Sequence, residues 1–270
     1  MKLKQNTVNR LKGRYGNWAL VTGATSGIGK AIAIALGEAG FNLVISGRRE
    51  ALLNELGTQL FDKHQVEVVP IAGDLSKEEA VTSLLQETAH LTIGIVVLSA
   101  GFGTSGNLLQ APLADELNMV DLNCRTLLHI SHHFAQQMKS QQRKGAIVLL
   151  SSIVAFQGVP NAANYAATKA YVQTLGEGLY HELKPSGIDI LCAAPGPVNT
   201  GFASRADMQM GAALTPEAVA IPIINAIGKK TTVLPGWLTK LLAYSLMTAP
   251  RWAKVRIMGM VMGGFTKHQR

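Results

Sequence analysis

The stretch Val21-Thr22-Gly23-Ala24-Thr25-Ser26-Gly27-Ile28-Gly29 constrains this chain more than any other. It follows directly on the apolar run 18–22 and opens a segment of helical periodicity, so a strand must turn through three glycines into a helix. Each glycine serves a need that a side chain would obstruct. Gly23 allows the tight turn, Gly27 lets backbone amides approach a pyrophosphate, and Gly29 lets the helix pack closely on the sheet. The helix start adds unpaired N–H groups and the positive end of its dipole. With Thr25, Ser26 and Ile28 this makes a candidate dinucleotide-binding turn, although a glycine-rich loop with no ligand would read the same way.

From residue 18 to residue 235 short apolar runs alternate with longer helical segments. Strands are expected over 18–22, 42–46, 67–71, 93–99, 146–151, 189–193 and 232–234, and helices over 29–39, 49–63, 77–89, 113–143 and 163–185. The strands are rich in β-branched residues and lack strict alternation, which suits a sheet buried on both faces. The expected fold class is α/β, a single Rossmann-like doubly wound parallel seven-stranded sheet with helices on both faces. No linker or repeat interrupts it. Residues 1–235 are therefore read as the dinucleotide-binding and catalytic domain, and residues 236–270 as a basic amphipathic helical appendage of the same domain.

The second expected strand ends in Ser46-Gly47-Arg48-Arg49, where an acid that would hold an adenosine ribose is missing. A guanidinium fork suits a 2′-phosphate, so Arg48 and Arg49 favour NADP(H) over NAD(H) as cofactor, unless they are solvated helix-start residues. Asp74-Leu75 follows the third strand; Asp74 can accept from an adenine amino group or cap the helix that begins near Ser76.

The most specific local signal is Tyr165-Ala166-Ala167-Thr168-Lys169, preceded by Ser151-Ser152. Residues four apart share a helix face. An ammonium beside a phenol favours the phenolate, so Lys169 is expected to bring the pKa of Tyr165 down from about 10 toward working pH. In order along the chain stand the glycine turn, Asp74, Ser99-Ala100-Gly101, Asn123, Ser152, Tyr165, Lys169 and Pro195-Gly196. That order resembles the short-chain dehydrogenase/reductase family from about residue 15 to residue 235. The resemblance implies a catalytic tetrad of Asn123, Ser152, Tyr165 and Lys169. Tyr165 would protonate a carbonyl oxygen as hydride arrives, Ser152 would hydrogen-bond that oxygen, Lys169 would bind the nicotinamide ribose, and Asn123 would hold a water in a proton relay. It also implies cofactor contacts at Ala100, Gly101, Pro195, Gly196, Val198 and Thr200, beside Asn123, Tyr165 and Lys169. One departure is visible: Leu98-Ser99-Ala100-Gly101 stands where the family commonly has Asn-Asn-Ala-Gly.

The expected activity is hydride transfer between NADP(H) and a carbonyl or secondary alcohol, with a catalytically silent NADP-binding regulatory or scaffold protein as the alternative. Segment 202–214 occupies the place of the family's substrate lid and carries Met208 and Met210, which suit an adaptable apolar pocket. A lipophilic ketone or aldehyde, fatty-acyl or steroid-like, is the expected substrate. The approach Tyr15-Gly16-Asn17-Trp18 also resembles lipid- and steroid-acting branches of the family. A homodimer or homotetramer is implied by resemblance.

Charge separates the ends from the middle. The net charge is +8, yet residues 1–16 hold five cations and residues 236–270 six, with no acid in either, which leaves 14 cations against 17 acids between them. Such a body offers no basic groove, so nucleic acid is not an expected partner. Basic ends beside apolar residues suit an anionic partner or membrane surface. For residues 236–270 a peripheral membrane contact, a dimer cap and a wall over the substrate pocket all remain open. Cys124 and Cys192 fit neither a metal-ligand spacing nor a disulfide framework, and no apolar run reaches the length of a signal peptide or a spanning helix. No metal is expected, and a cytoplasmic location is, with peripheral membrane association as the variant.

Overall fold

The computed structural model describes residues 2–209, 211 and 213–269; Met210, one of the two methionines expected in the lid, lies outside them. Seven strands, β1 (Trp18–Thr22), β2 (Asn42–Gly47), β3 (Val68–Ala72), β4 (Ile93–Leu98), β5 (Gly145–Leu150), β6 (Ile188–Ala193) and β7 (Thr232–Val233), form one sheet. All pair in parallel, in the order β3-β2-β1-β4-β5-β6-β7. This is the doubly wound Rossmann-like sheet the sequence predicts, its strand ends shifted by a residue in places. Pro70, which cannot donate to a ladder, sits on the edge strand β3.

Successive strand residues point to opposite faces, and both faces are covered. Val21, Ile45 and Val97 join a core under α1 (Gln5–Tyr15), α2 (Gly27–Glu38), α3 (Glu50–His64) and α9 (Pro216–Ala226). Their neighbours Leu20, Val44 and Val96 join a second core under α4 (Glu78–Glu87), α6 (Leu127–Ser140) and α7 (Ala163–Leu183).

Three expectations are corrected. At the N-terminal end, the basic residues expected to suit an anionic partner or membrane surface are largely taken up by the body. Thr7, Val8, Leu11 and Tyr15 form the buried side of α1, and its cations are engaged by the body: Arg10 donates to the Ile227 and Asn225 carbonyls, Lys12 to the Gly40 carbonyl, and Arg14 pairs with Asp189. The helix expected over 113–143 is interrupted. It runs as α5 (Leu113–Val120), a π-helical stretch (Asp121–Thr126) and α6, and the wider turn carries Asn123. The helix expected over 163–185 ends at Leu183, because Pro185 cannot continue it, and a short 3₁₀ turn follows.

The strand order reverses between β1 and β4, which opens a crevice at the carboxyl ends of the strands. The short helix α8 (Gly201–Arg205) lies over it, and α10 (Trp237–Met247) and α11 (Arg251–Phe265) close one end.

Candidate active site

The crevice is a cavity of about 820 Å³, within the range of small-molecule and cofactor sites. Every candidate residue named from the sequence contributes to its wall except Asn123. Gly23 has φ +69°, and a Cβ there would stand 2.9 Å from the Ala100 backbone. A Cβ on Gly29 would meet the Gly23 carbonyl oxygen at 2.5 Å and the Ser99 hydroxyl. The turn therefore has to be bare, and it leaves the first amides of α2 facing the cavity. Ser99, where the family pattern has asparagine, donates its hydroxyl to the Thr22 carbonyl, while the Ala100 amide donates to Thr22 Oγ1 at 3.1 Å. These two bonds brace the end of β1 against the loop after β4.

Arg48 and Arg49 line the cavity beside the glycine turn. Arg49 donates to Thr25 Oγ1 at 2.9 Å. Asp74 accepts at Oδ1 from the amide (3.2 Å) and hydroxyl (3.0 Å) of Ser76, so it caps the turn before α4 while also facing the cavity. Leu75 is buried beside it.

At the other end α7 carries Tyr165 and Lys169 one turn apart. Lys169 Nζ donates to the Leu150 carbonyl at 2.7 Å and lies 5.8 Å from the centre of the Tyr165 ring. Ser152 faces the same space. The Ser151 hydroxyl instead donates to the Lys169 carbonyl at 3.1 Å, tying β5 to α7. Asn123 sits behind Gly101 and is fully engaged: Nδ2 donates to the Phe102 carbonyl (2.8 Å) and to Thr168 Oγ1 (3.1 Å), and Oδ1 accepts from the Phe102 amide (3.2 Å). It braces the loop after β4 against α7.

The electrostatics differ from the sequence expectation. Burial pushes the Tyr165 phenol up to about 12, with the neighbouring Ser152 hydroxyl pulling the other way. Burial also pulls Lys169 down to about 8. Desolvation dominates in both groups, and the Lys169 ammonium bonds the Leu150 carbonyl rather than the phenol.

The loop Pro195-Gly196-Pro197-Val198 is held on two sides. The Pro195 carbonyl accepts from the Ile153 amide at 3.0 Å, and the Gly196 amide donates to Thr239 Oγ1 at 3.1 Å. The Thr200 hydroxyl caps α8 by accepting from the Phe202 amide at 3.2 Å. Several lining residues carried no recognisable signal in the sequence. The Phe202 ring lies 5.2 Å from that of Tyr165, and the Arg205 guanidinium lies 3.7 Å above the Phe102 ring. Met258 and Met262 are buried with Val159, Ala162 and Ala166, and Met208, Leu246 and Phe265 pack against them. Glu116, buried under the loop after β4, accepts from the Thr104 hydroxyl and from Asn164 Nδ2, both at 2.6 Å. Among the described residues no group of three or more His, Cys, Asp or Glu could hold a metal ion, and both cysteines are free.

A model of the family described as short chain dehydrogenase matches residues 17–211. The chain is 31% identical to a 7beta-hydroxysteroid dehydrogenase of Clostridium sardiniense over 231 residues, covering 84% of this chain and 88% of that protein. A solved structure of a 7beta-hydroxysteroid dehydrogenase superposes with a TM-score of 0.84 at 27% identity, over 92% of this chain and 98% of the other. A short-chain dehydrogenase from Sphingobium yanoikuyae in complex with NADPH superposes with a TM-score of 0.77 at 26% identity, over 87% of this chain and 97% of its own.

Proposed function

The chain belongs to the short-chain dehydrogenase family, whose members are oxidoreductases of CH–OH and carbonyl groups, and from that premise we propose that it uses NADP(H) to reduce a lipophilic ketone or aldehyde, fatty-acyl or steroid-like. One observation carries this reading: a single cavity joins the glycine turn, Arg48 and the Ser152–Tyr165–Lys169 group to an apolar end lined by Met208, Leu246, Met258, Met262 and Phe265. The steroid activity named for the relative and the NADPH bound to the Sphingobium protein support it by likeness.

The residues present fit a dinucleotide phosphate. The glycine turn is bare where it packs against the loop after β4 and lines the cavity at the start of α2, where helix-start amides can receive a pyrophosphate; Arg48 and Arg49 offer guanidinium forks to a 2′-phosphate, and Asp74 faces the adenine position. Bound NADP(H) supplies or accepts the hydride. Tyr165, a phenol that is protonated at neutral pH and whose pKa burial raises further, donates its phenolic proton to the substrate oxygen as the C–H bond forms. The Ser152 hydroxyl donates a hydrogen bond to that same oxygen and stabilises its developing charge. Lys169 holds the ribose hydroxyls and, as an ammonium, stabilises the phenolate that Tyr165 leaves behind. Asn123 is a positioning residue through Phe102 and Thr168.

Residues 236–270 belong to the catalytic unit in this reading, since Thr239 holds Gly196 and Met258 and Met262 wall the cavity. Exposed Leu117, Leu128 and Tyr171 on the α5–α6–α7 side offer an apolar face for a homodimer or homotetramer.

The test follows NADPH absorbance over a panel of soluble and lipophilic carbonyls, with wild type beside Tyr165→Phe. Turnover by wild type, and binding of NADPH without turnover by the variant, is the expected result. Tight NADPH binding with no turnover on any carbonyl would favour the silent scaffold instead.

A further inference from the structure

Helices α10 and α11 each divide into an inner and an outer side. On α10, Thr239 and Ala243 are buried, and Leu242, Ser245 and Leu246 line the cavity. Trp237, Lys240, Leu241 and Tyr244 follow a spacing of three and four along the remaining side, with Trp237 72% and Tyr244 60% exposed. On α11, Met258 and Met262 are buried. Trp252, Arg256 and Met260, four residues apart, form an outward stripe in which Trp252 is 69% and Met260 66% exposed. Leu242, Ile257 and Val261 are at once exposed and part of the cavity wall, so both stripes flank the cavity mouth.

Two of the chain's three tryptophans stand on these stripes, and no acidic residue follows Glu217. Among the described residues, none of Lys240, Arg251, Lys254 and Arg256 pairs with a carboxylate. A second copy of the chain is a poor occupant. A two-fold interface sets a patch against itself, and here cation would face cation. An anionic lipid surface complements the same patch: tryptophans seat at the headgroup level, and each cation near the surface strengthens partitioning by roughly fivefold. Among the described residues no helix is long and apolar enough to cross a membrane, which makes such a contact peripheral.

We infer that the outer faces of α10 and α11 dock on an anionic bilayer, with the cavity mouth turned toward the lipid. A lipophilic substrate then passes from the membrane between Leu242, Ile257 and Val261 toward Tyr165 with little exposure to water. That passage rests on the lipophilic-substrate reading; the docking itself does not.

The full chain, without cofactor, is floated with vesicles of phosphatidylcholine alone or mixed with phosphatidylglycerol. Binding only to the mixed vesicles, weakened at high salt and accompanied by a blue shift of tryptophan emission, is expected. Trp237→Ser with Trp252→Ser, and separately Lys240→Glu with Arg256→Glu, should each lower partitioning by about tenfold or more while turnover of a soluble aldehyde is unchanged. Absence of flotation with mixed vesicles at low salt, or equal flotation by both variants, overturns the inference. So does a smaller particle in sedimentation velocity for the tryptophan variant, which would assign the face to a second copy. If wild type turns over no carbonyl, the reductase reading fails while the vesicle result still decides docking.

Discussion

The amide of Gly196 donates to the hydroxyl of Thr239 at 3.1 Å, across 43 residues of sequence. Thr239 is 1% exposed, so water cannot replace it. The first turn of α10 thereby fixes the loop after β6, and the C-terminal appendage becomes part of the site's framework.

Thr239→Val keeps the shape of the side chain and removes the acceptor. The half-buried Gly196 amide then loses its partner, which costs about 1 kcal/mol. Urea unfolding should show that loss, and kcat/KM should fall with it, because the loop beside the proposed nicotinamide position is released. Thr239→Ser should restore both; wild-type behaviour of the valine variant would mean that the loop is held by the Ile153 amide, and by the Leu214 amide on the Pro197 carbonyl, without Thr239.

Lys169 makes stability depend on pH in a definite direction. Burial lowers its pKa from 10.5 to about 8. Below about pH 8 it is charged in the folded and the unfolded chain alike, and the burial penalty is felt in full. Between 8 and 10.5 the folded chain releases the proton first, the unfolded chain binds more protons, and stability rises with pH. Lys169→Met removes this dependence. The stability of the variant relative to wild type, measured by urea unfolding in steps across that window, should decline by roughly 3 kcal/mol. A constant difference would show that the ammonium is hydrated.

The parts legible in the sequence were those written in short spacings. Three glycines between a strand and a helix, and Tyr165 with Lys169 one turn apart, declare themselves within a few residues. The βα alternation gave the sheet for the same reason. What escaped depends on distant partners. Leu11 and Tyr15 pair with the sheet only once α1 has docked, so their helical spacing was masked by the neighbouring cations. Met258 and Met262 reach the cavity from more than ninety residues beyond Tyr165, and no local pattern marks them. The direction of the Tyr165 shift escaped because spacing reports proximity, whereas burial and the Leu150 carbonyl decide the charge.

Arg48 carries the cofactor preference in the proposed reading. Arg48→Ala should weaken NADPH binding by about ten- to a hundredfold, the worth of a charge-assisted hydrogen bond, and leave NADH binding nearly unchanged. Fluorescence titration with the two nucleotides measures it. Equal weakening for both would place Arg48 at the pyrophosphate rather than at a 2′-phosphate.

Glu116 links the loop after β4 to the start of α7 through Thr104 and Asn164, the residue before Tyr165. Glu116→Leu takes the acceptor from the half-buried Thr104 hydroxyl and leaves Asn164 Nδ2 only the carbonyl of residue 116, at a cost of about 1 kcal/mol in urea unfolding. Its functional signature should be a raised KM for carbonyl substrates with NADPH affinity retained, since the bond is lost at Thr104, beyond the Ala100-Gly101 stretch assigned to the cofactor. Loss of NADPH affinity instead would mean that the displacement travels through Phe102 and Asn123 to the glycine turn.

The last expectation separates the two ends of the cavity. Met262 is buried in the apolar cluster with Met258, Val159, Ala162 and Ala166, against which Tyr165 packs from the catalytic side. Met262→Glu places a carboxyl in surroundings that disfavour its charge. A bulky lipophilic ketone fills that end and should lose about tenfold or more in kcat/KM, because burial of even one or two methylene-sized groups is worth that much. A short soluble aldehyde reaches only Ser152 and Tyr165 and should be turned over nearly as before, while Met262→Leu should leave both substrates unaffected. Equal loss for the two substrates would show that the cluster supports the catalytic helix rather than the substrate, and the lipophilic assignment would then have no remaining support from the pocket wall.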